Sequence, residues 1–267
     1  MHTRVENRSG FRLGFDDLGR GEPALLLLTG WCSSRERWAS AAPLLAKHRR
    51  VVNFEWRGHG ASAPADGDFG TTEMVEDALD VVAATGIGSF IPCSASHSGW
   101  VAIELARRLP ERVPAIAHLD WMVIEPSDPY MQLIRALQSP ESWPGARDTL
   151  FDIWRGGEQR PEIEAALKVM RRQDADMWMR SGRVIEESYR RHESPLRALV
   201  GLTGPPAVLH LYGQPPAPEY LEAQEQFARD HGWFGVRRID ARTHFSMLEA
   251  PEAVAVAIEE HARAAAR

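Results

Sequence analysis

Cysteine, long apolar runs and clustered positive charge are all scarce in this 267-residue chain. The two cysteines, Cys32 and Cys93, form no C-x-x-C pair. That excludes a disulfide framework and suits a reducing compartment. The N-terminal stretch MHTRVENRSGFRLGF lacks the apolar core of a signal peptide. No apolar run approaches the roughly 20 residues of a membrane span. The expectation is a cytoplasmic protein with no membrane partner. No run of Lys and Arg exceeds two residues, and the formal charge is −6. A nucleic-acid partner would need a basic stripe, so none is expected, and an anionic substrate is not especially invited.

What is present is strand alternating with helix. ALLLLTG (24–30), RVVNFEW (50–56), SFIPCS (89–94), PAIAHLD (114–120), AVLHLYG (207–213) and VRRID (236–240) read as strands. TTEMVEDALDVVAA (71–84), GWVAIELARRL (99–109) and the closing PEAVAVAIEEHARAAA read as helices. The alternation predicts an α/β fold with a mostly parallel sheet and helices on both faces. It stops between about 125 and 200, where the chain is helical and rich in Trp and Met. The expected organisation is a core formed by 1–124 and 201–267, with a helical cap inserted at 125–200. Oligomeric state is not legible.

Ser96 sits in SASHSGW, between a strand and a helix, which is the setting of a nucleophile elbow. The glycines of G-x-S-x-G are replaced by Ser94 and Ser98, so the motif alone is weak, and Ser96 also reads as a plain helix cap. The wider constellation adds weight. Gly30-Trp31 follows the first strong strand, where an oxyanion-hole amide belongs; Asp120 ends a strand; His244 precedes the last helix. Ser, Asp, His is the chain order of an α/β-hydrolase triad, at the carboxyl ends of parallel strands. A histidine beside a buried carboxylate is expected to have a raised pKa and a fixed tautomer. Individually, Asp120 also reads as a helix cap and His244 as a core histidine.

WRGHGAS (56–62), the elbow and THFSMLEAPE resemble the α/β-hydrolase superfamily. LLLTGWC (26–32), NFEWRGHG (53–60), SASHSGWV (94–101), LDWM (119–122), FDIWRGG (151–157), SGRVIEESY (181–189), GQPPAPEY (213–220) and THF (243–245) narrow the likeness. They are similar to the cofactor-independent 2,4-dioxygenases of 3-hydroxy-4(1H)-quinolones and quinaldines. The resemblance covers nearly the whole chain. The loop Gly213–Pro218 has no acid, which points to Asp120 as the acidic partner, as in those dioxygenases. The quinaldine enzyme of that family carries a histidine where Ala95 stands, so the site is expected to be less crowded or less polar there.

The resemblance implies ring cleavage by O2 with no cofactor and no metal. His244 would take the substrate 3-hydroxyl proton, with Asp120 holding and charging the imidazole. Amides of Trp31 and His97 would hold the C4 oxygen, and Ser96 would hydrogen-bond the substrate without attacking it. Trp154 and His97 match positions near the bound ring. Trp178, with Met177 and Met179, offers the lining of an apolar tunnel, and ordinary core packing is the competing reading for at least some of the three. The partners are then an aromatic small molecule and O2, and the products carbon monoxide and an N-acylanthranilate. A long 2-alkyl chain, as in the quorum-sensing signal 2-heptyl-3-hydroxy-4(1H)-quinolone, is favoured over methyl. Three alternatives stand beside this: an esterase with a Ser96-His244-Asp120 triad, a metal-dependent oxygenase using His118-x-Asp120, and a non-catalytic receptor.

Overall fold

The structure, a computed structural model, describes residues 2–6, 10, 12–65 and 67–266. Eight strands form one sheet: β1 His2–Glu6, β2 Arg12–Leu18, β3 Ala24–Leu28, β4 Val51–Phe54, β5 Phe90–Ala95, β6 Ala115–Leu119, β7 Ala207–Tyr212 and β8 Phe234–Arg238. Their order is β1-β2-β4-β3-β5-β6-β7-β8; β2 runs antiparallel to both β1 and β4, and all other pairs are parallel. The β1–β2 hairpin was not foreseen. RLGFDDL carries Asp16 and Asp17 near its end in place of a continuous apolar run, as an antiparallel strand next to the sheet edge permits. The last strand begins at Phe234, two residues before its expected start.

The helices are α1 Ala41–Leu45, α2 Thr71–Thr85, α3 Gly99–Arg108, α4 Asp128–Ala136, α5 Trp143–Arg155, α6 Pro161–Arg171, α7 Ala175–His192, α8 Pro195–Val200, α9 Pro218–Asp230, α10 Ser246–Glu249 and α11 Pro251–Ala265. The Glu73 carboxylate accepts the Gly70 N–H at 2.8 Å and fixes the start of α2; Gly86, at φ 62°, ends it. Asp174 caps α7 by accepting the Met177 N–H at 2.9 Å. None of the helices among the described residues is long and apolar enough to cross a membrane.

Alternation along each strand builds two cores. Leu26, Leu28, Val52 and Phe54 face one layer with α2 and α3; Leu25, Leu27, Val51 and Ile91 face the other with α1 and α11. Every residue of β3, β5 and β6 is buried. Each leucine fully buried this way contributes about 1.5–3 kcal/mol. The rigid centre of the sheet fixes the strand ends on which the site stands. Helices α4 to α8 all lie between β6 and β7 in the chain. The end of α5 docks on the loop before α10: Gly156, at φ 60°, lies so close that an added Cβ would meet the Arg242 carbonyl oxygen at 2.0 Å.

Candidate active site

The sharp turn after β5 holds Ser96 at φ 57°, a left-handed conformation that is strained for serine. The replaced glycines are explained locally. Ser94 Oγ lies 2.7 Å from His118 Nδ1, and Ser98 Oγ donates to the Ala95 carbonyl at 2.9 Å. Both side chains are small enough for the turn, and both satisfy buried polar atoms there. The adjoining loop after β3 packs tightly, since a Cβ on Gly30 would lie 3.3 Å from Ser96 Cβ. The expected amide positions, Trp31 and His97, therefore follow two residues in near contact.

Asp120 leaves the end of β6 at φ 47°, and its side chain is buried. Oδ1 accepts the Gly213 N–H and Oδ2 accepts the Ser246 N–H, each at 2.9 Å. The carboxylate thus ties together the loop after β7 and the start of α10. Burial raises its pKa, partly offset by those amides and by the Arg37 cation.

His244 is held from both sides of its own backbone. Its N–H donates to the Trp154 carbonyl at 2.8 Å, and its carbonyl accepts from Arg37 Nη2 at 2.6 Å. Its ring stacks on Trp154, with centroids 5.1 Å apart at 16°. The raised pKa expected for His244 is not found. Burial lowers it well below the ordinary 6.5, and the Arg37 cation and His97 push the same way. Among the described residues no hydrogen bond joins His244 to Asp120 or to Ser96.

A cavity of about 560 Å³ opens at these strand ends. Ser96, His97, Asp120, Trp154 and His244 all line it. A small inner chamber of about 30 Å³ lies behind, lined by Trp31, Arg37 and Trp178 among others. Ser96, His97, Tyr130, Trp154 and His244 are shared by the two. The expected site residues are therefore brought together, with Trp31 and Trp178 on the inner side. Of the two readings for the methionines, Met177 follows core packing. Met177 and Met179 line neither cavity. Ala95 differs from expectation: it is fully buried in the core layer with Leu25 and Trp38, so its small size leaves the cavity unchanged. The His118-x-Asp120 pair does not act as a unit. His118 bonds Ser94 outside the cavity, while the positive φ turns Asp120 out of strand alternation. No cluster of three or more metal-ligating side chains is found among the described residues.

Three participants escaped sequence reasoning. His59 accepts the Cys32 N–H at Nε2 (3.0 Å) while Nδ1 meets the Arg57 carbonyl (2.9 Å), which pins the loop carrying Trp31. The quoted WRGHG contained the signal, though only a fold shows what its histidine holds. Arg37 is buried with its Nε unpartnered, its guanidinium 4.5 Å above the Phe245 ring. Tyr130 meets His97 Nε2 at 2.8 Å.

The geometry matches known proteins closely. A family model described as the alpha/beta hydrolase fold matches residues 23–151. The 2-heptyl-3-hydroxy-4(1H)-quinolone dioxygenase of Mycobacteroides abscessus is 36% identical, covering 92% of this chain and 93% of that protein. The 1H-3-hydroxy-4-oxoquinoline 2,4-dioxygenase of Pseudomonas putida is also 36% identical, over 91% of this chain and 92% of its own. The chain belongs to the quinolone 2,4-dioxygenase family of the α/β-hydrolase fold. A solved structure of a family member bound to its substrate, the Pseudomonas quinolone signal, superposes with a TM-score of 0.92 at 34% identity, covering 99% of this chain and 100% of that one. A thermophilic esterase from Thermogutta terrifontis, 22% identical with a TM-score of 0.80, shares the fold alone. The arrangement brings a half-buried imidazole, a strained elbow turn and a largely apolar cavity to one place.

Proposed function

We propose that the chain is a cofactor-independent dioxygenase of 2-alkyl-3-hydroxy-4(1H)-quinolones that quenches a quinolone signal. The reading is carried by family-level identity over nearly the full length of two quinolone dioxygenases. The cavity of about 560 Å³ supports it, lying within the roughly 300–1,000 Å³ of small-molecule sites. In this reading residues 125–200 act as a cap over a core formed by 1–124 and 201–267.

Ground-state O2 is a triplet, so its two-electron reaction with a singlet substrate is spin-forbidden. An electron-rich substrate anion avoids the barrier by giving one electron first. His244, kept neutral by burial and Arg37, accepts the proton of the 3-hydroxyl. Stacking on Trp154 and the two backbone hydrogen bonds hold its ring in place. The anion transfers an electron to O2, and recombination at C2 gives a peroxide that attacks C4. Collapse of the bridged intermediate breaks the O–O, C2–C3 and C3–C4 bonds: both atoms of O2 remain in the N-acylanthranilate, one on C2 and one on C4, and C3 leaves with its own oxygen as carbon monoxide. The Trp31 and His97 amides hold the C4 oxygen as charge builds on it, and each such donor is typically worth about 2.7–4 kcal/mol. Ser96 binds the substrate and does not attack it.

The test is turnover of 2-heptyl-3-hydroxy-4(1H)-quinolone by metal-chelated protein in air-saturated buffer, following absorbance, oxygen uptake and carbon monoxide. Equimolar O2 consumption and carbon monoxide release are expected. Ester cleavage with labelling of Ser96 by a fluorophosphonate, and no quinolone turnover, would establish the esterase instead.

A further inference from the structure

Tyr130 has a hydroxyl proton that the fold leaves unallocated, and a chain of three side chains sets its direction. The Trp121 indole N–H can only donate. It lies 3.3 Å from His97 Nδ1, so Nδ1 must accept. The His97 ring is buried, and the loss of water keeps it neutral. Its one proton therefore sits on Nε2, 2.8 Å from the Tyr130 hydroxyl. Nε2 donates and the Tyr130 oxygen accepts. The Tyr130 O–H must then point away from His97.

The Trp121 ring that starts this chain is itself immobile. A Cβ on Gly99 would come within 2.1 Å of it, so glycine is required there, and Trp100 packs edge-on at 5.0 Å. Tyr220 donates to the Trp121 carbonyl at 2.7 Å. Burial raises the Tyr130 pKa, so the phenol remains a protonated donor. Tyr130 lines both cavities, together with Ser96 and His244. The oxygen edge of a substrate whose 3-hydroxyl meets His244 has to lie at this junction.

We infer that Tyr130 is a substrate-positioning residue: its hydroxyl donates a hydrogen bond to the 3-oxy/4-oxo edge of the bound quinolone, aimed there by the Nε2–H tautomer of His97 and the Trp121 indole. The inference rests on the quinolone reading and adds a residue and a direction to it. His97 thereby acts on the substrate through two groups, its backbone amide and Tyr130. The hydrogen bond strengthens as the 3-oxygen becomes an anion, because charged acceptors bind donors more tightly than neutral ones.

The experiment has two arms. In the first, the dissociation constant of 2-heptyl-3-hydroxy-4(1H)-quinolone is measured without oxygen, for the unaltered protein and for Tyr130→Phe. Steady-state kinetics in air follow. Loss of a hydrogen bond to a charged acceptor should weaken binding about tenfold or more. KM should rise in step, with a much smaller change in kcat. In the second arm, nitrogen-15 correlation spectra of the substrate-free protein report the His97 tautomer. Nε2–H is expected, with a mixture of tautomers in Trp121→Phe. A Tyr130→Phe dissociation constant within twofold of the unaltered protein would overturn the inference alone, as would an Nδ1–H tautomer. Failure of the unaltered protein to bind the quinolone would overturn the functional reading and the inference with it.

Discussion

Replacing Asp120 by alanine separates two roles that a triad diagram merges. Asp120 accepts two buried backbone amides, from Gly213 and Ser246, each at 2.9 Å. Asp120→Ala leaves both N–H groups without a partner, at about 1–3 kcal/mol each. The burial that raises the carboxyl pKa means the charged form is itself costly, and its removal returns part of that loss. The net expectation is about 2–4 kcal/mol, since relief of the charge holds the sum to the lower part of the range. For a chain of this size that lowers the melting temperature by about 5–15 °C. Asp120→Asn keeps one acceptor and sheds the charge, so its melting temperature should fall distinctly less. Scanning calorimetry at pH 7.5 on the three proteins measures this ordering, and kcat is taken on the same samples. Activity should fall in both variants, because Ser246 follows His244 by two residues and the loop loses its tether. If Asp120→Ala melts within about 2 °C of the unaltered protein, the tether argument is wrong, and Asp120 serves the site through charge alone.

Ser96→Ala should lower kcat only modestly, whereas His244→Ala should cost about 10²–10⁴-fold, the usual worth of a general base; equal losses in steady-state assays would restore Ser96 as a nucleophile. Arg37→Met removes a buried cation beside His244. The acid limb of kcat/KM, placed below pH 6.5 in the unaltered protein, should then move up; a limb that stays put would show the guanidinium is electrostatically silent there. Gly99→Ala would drive a methyl to within 2.1 Å of the Trp121 ring and should cost about 1–3 kcal/mol or more, read as a lowered urea midpoint. Stability should also fall with acid. His59 and His210 are pushed down to about 4 and His97 to about 3, each by burial, so all three stay neutral when folded but bind protons when unfolded. The unfolded state thus binds more protons below pH 6.5, and stability is lost as pH falls from there towards 4. Urea midpoints unchanged between pH 7 and 5 would contradict those burials.

The parallel strands were legible because strands covered on both faces are near-continuous apolar runs, as ALLLL, FIPCSA and AIAHL are, the polar Ser94 and His118 being paired with each other. The β1–β2 hairpin was not, because an edge exposes one side to water and RLGFDDL alternates too weakly to stand out. The order of Ser96, Asp120 and His244 was legible because a parallel sheet delivers each strand end to the same edge, whatever the residues between. Ala95 shows where such reading fails. One residue before the elbow it looks like part of the site, yet strand alternation turns it to the opposite core layer.

The electrostatics were the least legible part, and Arg37 shows why. In sequence it is one arginine in CSSRERW, with no feature that sets it apart from Arg35 two residues earlier. In the fold Arg35 pairs with Asp16 and Glu55, while Arg37 turns inward behind the His244 carbonyl. A pairwise view of Asp120 and His244 predicts a histidine made more basic. Adding a buried cation and the loss of water reverses the sign. That reversal suits the proposed chemistry. A base that must be unprotonated when the substrate arrives is better kept neutral by its surroundings. The same low-dielectric pocket that lowers the resting pKa strengthens attraction between the new imidazolium and the substrate anion. In the proposed mechanism, proton transfer creates an ion pair inside the cavity, which holds the electron-rich anion in place for O2.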